Sequence, residues 1–182
     1  DPLDGTKEFV SRNGEFTVNI ALIEAGEPVL GVVGVPVRGH IYVGDCHGRE
    51  AYRTSEVGRE ALRTRAIEPG TLTVVASRRH GGDRLAGYLD TLAESFDIVR
   101  RPVGSSLKFC LLAEGKADFY PRLGPTSEWD IAAAHAVLQA AGGAVMQTDG
   151  SPLRYNTKES FLNPDFVAVA DPAFSWRDHL PQ

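Results

Sequence analysis

The sequence has little cysteine, no long apolar run and no excess of positive charge. Only Cys46 and Cys110 occur among 182 residues, so a disulfide framework is excluded and the pair fits a reducing compartment. No apolar run approaches the roughly 18 residues of a membrane helix, so we expect no integral membrane segment. The formal charge is −5, from 19 Lys and Arg against 24 Asp and Glu, and such an acidic chain is a poor general binder of nucleic acid.

An initiator methionine and a signal-peptide pattern are also missing. The sequence opens at Asp1, so we expect residues that precede Asp1 in the intact protein to be absent from it. What is present has a globular composition, with 42% hydrophobic and 24% charged residues. Its length suits one ordinary domain with a core of its own.

The first part of the chain, residues 1–70, has the alternating pattern of an antiparallel sheet. Alternation and β-branched residues predict strands at 15–24, 29–37, 41–43 and 50–53. Gly31 and Gly34 in the second strand indicate β-bulges or places where another backbone approaches closely. Residues 54–70 are charged and poorly periodic, so we interpret them as a connector and place a domain boundary near residue 70.

The second part, residues 71–182, alternates strands with helices, which is typical of an α/β fold. Strands are predicted at 72–76, 96–100, 117–120, 144–147 and 166–170, and helices at 83–95, 105–114 and 127–141. The last of these helices is rich in alanine and ends at Gly142-Gly143.

The first six residues, D-P-L-D-G-T, combine two carboxylates with a turn. Pro2 fixes its own φ angle and favours a turn in which Asp1 and Asp4 point into one site. Two carboxylates held close together repel unless a cation joins them, and Mg²⁺ prefers oxygen ligands of this kind. Gly5 and Thr6 then offer backbone N–H groups to phosphate oxygens. An Asx-turn that merely starts a surface loop would use the same residues.

A second acidic position, Asp130, falls at the start of the alanine-rich helix. Ser127 is the expected N-cap, and Asp130 three residues later completes a capping box, which explains Asp130 in structural terms alone. Considered with the first motif, Asp130 has a second interpretation as the third side of a metal site. We predict that Trp129 packs in the core.

The two motifs together resemble the signatures of the inositol monophosphatase superfamily, which are D-P-[ILV]-D-G-T and W-D-x-A-A. Members of this superfamily are lithium-sensitive, Mg²⁺-dependent phosphatases. Three further segments are similar to its CysQ-type 3′(2′),5′-bisphosphate nucleotidases, namely 6–9 (TKEF), 12–19 (RNGEFTVN) and 104–110 (GSSLKFC). Those enzymes convert adenosine 3′,5′-bisphosphate (PAP) to AMP. Inositol-type members usually carry Thr-Asn-Phe after the Gly-Thr, where this sequence has Lys-Glu-Phe, which makes an inositol phosphate the less favoured substrate.

The resemblance implies a layered αβαβα sandwich with its first layer largely missing and its site between two sheets. It implies two or more Mg²⁺ ions per site, with Asp1, the Leu3 carbonyl and a bridging Asp4 as ligands and Asp130 as the ligand of a second ion. The substrate-binding residues that it implies are Leu3, Asp4, Gly5, Thr6, His80, Ser105, Lys108, Arg122 and Asp130. Residues 1–70 would carry the metal and phosphate motif, and residues 71–182 the nucleotide contacts.

Four of the nucleotide contacts also have ordinary explanations. His80 would suit an exposed loop, and Ser105 would suit the N-cap of its helix. Lys108 would suit a solvated position, and Arg122 would suit an ion pair with a surface carboxylate. As a set, two cations and a polar cap suit a doubly phosphorylated nucleotide, because they offset the repulsion from a chain of charge −5.

The mechanism that the resemblance implies is hydrolysis by a metal-activated water molecule. The family's general base and one glutamate ligand belong to a segment upstream of Asp1, and its G-E-x-x-E pattern does not occur in this sequence. We therefore expect this chain alone to hold metal less tightly and to lack the group that orients the attacking water. We also expect exposed apolar surface, with instability or association as its consequence.

Two alternatives stay open at this point: an inositol- or sugar-phosphate phosphatase of the same superfamily, and a non-catalytic nucleotide-binding fragment. The resemblance further implies a role in sulfur assimilation and a cytoplasmic location, either free or peripheral on the cytoplasmic side of the inner membrane. The expected partner is a small-molecule nucleotide bisphosphate. No feature of the sequence fixes the oligomeric state.

Overall fold

A computed structural model describes residues 1–77 and 82–181, which form two sheets and the helices packed on them. The first sheet is an antiparallel meander, in which strands that follow one another along the chain are neighbours in the sheet. The elements of this part are α1 (Thr6–Val10), β1 (Val18–Glu24), β2 (Glu27–Val35), β3 (His40–Asp45), β4 (Glu50–Ser55) and β5 (Gly58–Ala61). The predicted antiparallel sheet is therefore confirmed.

One strand of the first sheet lies in the segment that was predicted to be a connector. β5 falls within residues 54–70, and all four of its residues are exposed. A strand that is exposed on both faces has no alternation of apolar and polar residues, so it lacks the signal that reveals the other strands. β5 pairs with β4 along its length, and the connector prediction is wrong for these residues.

The second sheet combines parallel and antiparallel neighbours. Its elements are β6 (Thr71–Ala76), α2 (Gly82–Leu92), β7 (Asp97–Pro102), α3 (Leu107–Ala113), β8 (Phe119–Arg122), α4 (Glu128–Ala140), β9 (Ala144–Gln147) and β10 (Phe166–Val169). The strand order is β7-β6-β8-β10-β9. β6 runs parallel to β7 and β8, whereas β10 is antiparallel to β8 and β9. The predicted mixed α/β class is confirmed.

Two apolar clusters hold these elements in layers. The larger cluster lies between the two sheets and contains most of α3 and the buried apolar face of α4, together with Val33 from β2 and Phe166 from β10. The smaller cluster packs the other face of the second sheet on α2, through Leu89 and Val167 among others. Neighbouring residues of β10 thus point into different clusters, as the two-residue period of a strand requires. The described layers are sheet, helices, sheet and helix.

The outer face of the first sheet has no covering layer among the described residues. Ile20, Leu22 and Ile41 share this face, and Ile20 is 65% exposed. The exposed apolar face agrees with a five-layered sandwich whose first helical layer is largely missing.

We expect residues 1–182 alone to bind a hydrophobic dye and to self-associate through this face, because large exposed apolar patches favour association. The double variant Ile20→Thr, Leu22→Thr keeps residues that suit a strand and should lower both the dye fluorescence and the apparent mass. Val57→Thr is the control, because Val57 is an isolated apolar residue that is 89% exposed. Equal dye binding by the double variant and the unsubstituted chain would contradict the prediction.

α4 lies directly against the first sheet at two glycines. Gly31 in β2 and Gly44 in β3 are cross-strand partners, and a Cβ atom added at either would overlap the backbone of α4. The close approach predicted for Gly31 is confirmed. Gly34 has no such approach, since its added Cβ would meet only Val18, at 3.8 Å or more. Neither glycine forms a bulge, because the register of β1 and β2 shifts at Leu22/Ile23.

His135 is buried in α4, and its Nδ1 atom lies 2.8 Å from the Tyr155 hydroxyl. Burial lowers the pKa of His135 from 6.5 to about 3. Below about pH 6.5, His135 therefore binds a proton in the unfolded chain but not in the folded chain. The free energy of unfolding falls as the pH drops from 6.5 towards 3.

We expect His135 to lower the free energy of unfolding by about 2 kcal/mol at pH 5 relative to pH 8. Thermal melts of the unsubstituted chain and of His135→Gln at both pH values measure the effect, and the variant should show the smaller loss on acidification. His47→Gln is the control, because the His47 side chain is 71% exposed. Identical losses for His135→Gln and the unsubstituted chain would rule out this source of acid sensitivity.

Candidate active site

The first four residues lie along the edge of β1. Asp4 and Thr17 exchange backbone hydrogen bonds of 2.9 and 3.0 Å, and the Asn19 N–H donates to the Asp1 carbonyl at 2.8 Å. The Leu3 N–H donates to Asp1 Oδ1 at 2.8 Å, which makes an Asx-turn. The Asx-turn and the two-carboxylate site were alternatives for this motif, and the same residues form the turn and bring the two carboxylates together.

The third carboxylate comes from the first turn of α4. The Ser127 N–H donates to Asp130 Oδ2 at 2.8 Å, as expected for a capping box. One carboxylate oxygen from each of Asp1, Asp4 and Asp130 lies within 4.8 Å of the other two. Asp130 therefore caps its helix and also closes an acidic cluster with the first motif.

The electrostatics of this cluster favour a cation. Burial raises the pKa of Asp4, although the charge of Lys108 and the hydrogen bond from the Ser106 N–H oppose the shift. Burial also raises the pKa of Asp130, and the nearby charge of Asp4 adds to the increase. Three crowded carboxylates are the hard oxygen ligands that Mg²⁺ prefers, so the donor set fits this ion.

A cavity of about 280 Å³ opens beside the acidic cluster. Asp4 and Asp130 line one part of it, and Lys108 and Arg122 also belong to its lining. Gly5, Thr6 and Ser105 contribute further polar surface. The cavity thus joins carboxylates that suit a metal ion to cations that suit an anionic substrate.

Comparison with known proteins identifies the family of this chain. The model of the "Inositol monophosphatase family" matches residues 1–173. The chain belongs to this family. It is 52% identical over 166 residues to "3'(2'),5'-bisphosphate nucleotidase CysQ" of Salmonella typhimurium and 51% identical to the protein of the same name from Escherichia coli K12. In both cases the match covers 91% of this chain and 65% of the relative.

Solved structures of inositol monophosphatase relatives share the fold. CysQ from Bacteroides thetaiotaomicron, described as a bacterial member of the family, superimposes with a TM-score of 0.82 at 42% identity, covering 93% of this chain and 68% of that one. Mycobacterium tuberculosis SuhB gives a TM-score of 0.76 at 26% identity, covering 94% and 65%. The chain thus spans about two thirds of the length of the curated relatives. No helix among the described residues is long and apolar enough to cross a membrane.

Lys108 is buried beneath the cavity rather than solvated. Its Nζ donates to the carbonyls of Ser105 (2.7 Å) and Val103 (3.3 Å) and lies 5.1 Å from the centre of the Tyr120 ring. Burial lowers the pKa of Lys108 to about 8, although the charge of Asp4 opposes the shift. The solvated alternative for Lys108 is therefore wrong in this family member.

Ser105 is not the N-cap of α3, and Arg122 donates to a backbone carbonyl. Ser105 has a φ angle of +49° and donates its hydroxyl to the Glu15 carbonyl at 2.5 Å, while Ser106 takes the N-cap position of α3. Arg122 donates from Nη2 to the Pro125 carbonyl at 2.7 Å. Within the described parts of the chain, its buried Nε atom has no hydrogen-bond partner.

The remaining predicted residues have different outcomes. Gly5 has a φ angle of +85° and precedes Thr6, the first residue of α1. Leu3 lies between Asp1 and Asp4, and its role as a carbonyl ligand stays a prediction. His80 lies outside the described residues. Trp129 was predicted to pack in the core, and this is wrong: it is 50% exposed and contacts Phe161, with ring centres 5.5 Å apart.

Three polar residues behind Asp4 were not predicted as part of the site. Thr17, Asn19 and Ser106 are all buried, and each takes part in hydrogen bonds around the Asp4 carboxylate or next to it. A signal for two of them exists in the sequence, because Thr17 and Asn19 are polar residues at the inward positions of an alternating strand pattern. Ser106 gives no such signal, because serine before a helix is ordinary.

Proposed function

We propose that the protein is a Mg²⁺-dependent phosphatase that removes the 3′-phosphate of PAP and yields AMP. The observation that carries this proposal is the cavity that joins Asp4 and Asp130 to Lys108 and Arg122. A substrate with two phosphates matches such a site, since one phosphate can meet the metal while the other meets the cations. The relatives named 3'(2'),5'-bisphosphate nucleotidase support the same substrate.

Asp1, Asp4 and Asp130 would hold two or more Mg²⁺ ions, with the Leu3 carbonyl as a further ligand. When bound, the ions supply positive charge that activates water and neutralises the phosphoryl and leaving oxygens. Gly5 and Thr6 would bind phosphate oxygens through their N–H groups at the start of α1. Ser105, Lys108, Arg122 and His80 would bind the nucleotide.

The reaction consumes one water molecule. The water oxygen forms a new bond to phosphorus, the bond between phosphorus and the 3′-oxygen breaks, and that oxygen takes a proton to become the hydroxyl of AMP. We assign no general base among the described residues, and its expected position upstream of Asp1 stays a prediction. A role in sulfur assimilation and a cytoplasmic location are part of the proposal.

The test is product analysis with the protein expressed from its complete coding sequence. We expect PAP to yield AMP and phosphate in equal amounts in the presence of Mg²⁺. Chelation should stop the release, and added Mg²⁺ should restore it. Release of the 5′-phosphate, with adenosine 3′-phosphate as the product, or full activity after chelation would contradict the proposal. Residues 1–182 assayed in parallel show how much of the activity this segment retains.

Lys108→Met is expected to raise KM for PAP at least about tenfold, because a charge-assisted contact to the second phosphate is lost while side-chain volume is kept. KM for a simple phosphomonoester should change much less, since that substrate has no second phosphate. Lys116→Met is the control, because Lys116 is 52% exposed and pairs with Glu114. Steady-state kinetics on both substrates measure the effect. Equal increases for the two substrates would remove Lys108 from the nucleotide contacts.

A further inference from the structure

A buried group of polar side chains supports Asp4 from behind. Asp4 Oδ2 accepts a hydrogen bond from the Ser106 N–H at 2.5 Å and one from the Thr17 hydroxyl at 3.2 Å. The Ser106 hydroxyl donates to Asn19 Oδ1 at 2.8 Å and accepts from the Thr17 hydroxyl at 2.7 Å, so the single Thr17 proton is shared between Ser106 Oγ and Asp4 Oδ2. Ser106 therefore contacts Asp4 through its backbone and both of the other polar residues through its side chain.

Ser106 joins two parts of the fold that are far apart in sequence. It is the N-cap residue of α3, whereas Thr17 and Asn19 belong to the strand segment that pairs with residues 1–4. Ser106 is only 2% exposed and Thr17 is fully buried. A carboxylate held from two separate elements loses little freedom when it binds a cation, because its orientation is already fixed.

A purely structural role explains this group poorly. The Asn19 Nδ2 atom is buried and makes no close hydrogen bond within the described part of the chain, but it is the donor through which Asn19 favours the ionised form of Asp4 and lowers its pKa. Apolar residues would fill the same position beside α4 without burying polar groups, but they would not favour an ionised carboxylate at Asp4. The polar set lies next to the acidic cluster, where it can fix the orientation of the Asp4 carboxylate.

We infer that Ser106 is a positioning residue, whose hydroxyl holds Thr17 and Asn19 so that the Asp4 carboxylate stays facing Asp1 and Asp130. This inference rests on the metal site of the proposed function. It predicts that the hydroxyl network sets the affinity for Mg²⁺, although none of its side chains is among the proposed ligands. Partners behind a metal ligand commonly change affinity by about 10- to 100-fold.

The experiment measures the Kd for Mg²⁺ by calorimetry in the protein expressed from its complete coding sequence. Ser106→Ala and Thr17→Val each remove one hydroxyl and should weaken binding by about tenfold. Thr17→Ser keeps the hydroxyl and should bind Mg²⁺ as the unsubstituted protein does. Thr73→Val is the control for a lost buried hydroxyl, because the Thr73 hydroxyl contacts Arg65 instead. It should lower the melting temperature and leave the Kd unchanged.

The outcomes separate this inference from the proposed function. Weaker Mg²⁺ binding by Ser106→Ala and Thr17→Val, with no PAP hydrolysis by the unsubstituted protein, would support the inference and contradict the proposed function. An unchanged Kd in a folded Ser106→Ala or Thr17→Val protein would overturn the inference even if PAP is hydrolysed. Absence of Mg²⁺ binding by the unsubstituted protein would overturn the inference as well. If Ser106→Ala fails to fold, the two Thr17 variants decide the matter.

Discussion

Asp4→Asn is expected to reduce Mg²⁺-dependent phosphate release by more than about 100-fold. Loss of a residue that hydrogen-bonds a metal ligand already lowers metal affinity or activity by about 10- to 100-fold, and Asp4 is proposed as a direct ligand. The substitution keeps the size of the side chain but removes one of three carboxylates that lie within 4.8 Å of one another. An amide is a weaker ligand for Mg²⁺ than a carboxylate, and it cannot neutralise the ion.

The same substitution should stabilise the protein when Mg²⁺ is absent. Burial disfavours the ionised Asp4 carboxylate more than Lys108 and the neighbouring hydrogen bonds favour it, so removal of the charge relieves a net cost. We therefore expect a melting temperature above that of the unsubstituted protein in chelator. Lost activity with gained stability distinguishes a functional defect from misfolding.

Steady-state assays across a range of Mg²⁺ concentrations, together with melts in chelator, measure both effects. Asp90→Asn is the control, because Asp90 is an 81% exposed carboxylate on α2. It should leave the activity and the stability unchanged. Turnover at the level of the unsubstituted protein in Asp4→Asn would remove Asp4 from the metal site.

Gly31→Ala is expected to lower the melting temperature by about 10 °C, as overpacking against a rigid neighbour costs about 3 kcal/mol. The added Cβ would overlap the Ala133 carbonyl and stand 2.9 Å from the Ala136 Cβ. At Gly44 the added atom would stand 2.6 Å from the Ala136 carbonyl oxygen. The clashing atoms are backbone carbonyls of α4 and the Ala136 Cβ, which cannot rotate away, so the whole helix must move.

A displaced α4 would also move Asp130, which lies in its first turn. We therefore expect Gly31→Ala to weaken Mg²⁺ binding as well as stability. Gly34→Ala is the matched control on the same strand, because its Cβ would meet Val18 at an ordinary distance of 3.8 Å. Thermal melts of the two variants test the prediction. Equal melting temperatures for both would show that the packing of α4 does not require a glycine at position 31.

Local patterns predicted most of the fold correctly because strands of the first sheet alternate between buried and exposed residues, whereas β6 and β10 are short apolar runs buried on both faces. β9 (Ala144–Gln147) was predicted with its observed limits, and the alternation around β1 and β2 marked their inward faces. β5 was not predicted as a strand because it is exposed on both faces and therefore lacks an alternating pattern. The antiparallel direction of β10 was not predictable from its residues, since direction depends on how the connecting segments return to the sheet.

The acidic cluster was predictable because its chemistry is concentrated in two short motifs. The environment of Lys108 was not, because its burial depends on Tyr120 and on the carbonyls of its own loop. The contact between Thr17 and Ser106 joins residues 89 positions apart, and no periodicity within either segment encodes such a pair. Trp129 was misplaced because an indole in the first turn of a helix can point outward as easily as inward.

The most direct test of the central claim is a comparison of kcat/KM for PAP and for inositol 1-phosphate. Both are measured with the protein expressed from its complete coding sequence at saturating Mg²⁺. We predict a clear preference for PAP, because Lys108 and Arg122 line the cavity beside Asp4 and Asp130 and suit a second phosphate that inositol 1-phosphate lacks. A higher kcat/KM for inositol 1-phosphate, or binding of PAP without turnover, would contradict the account.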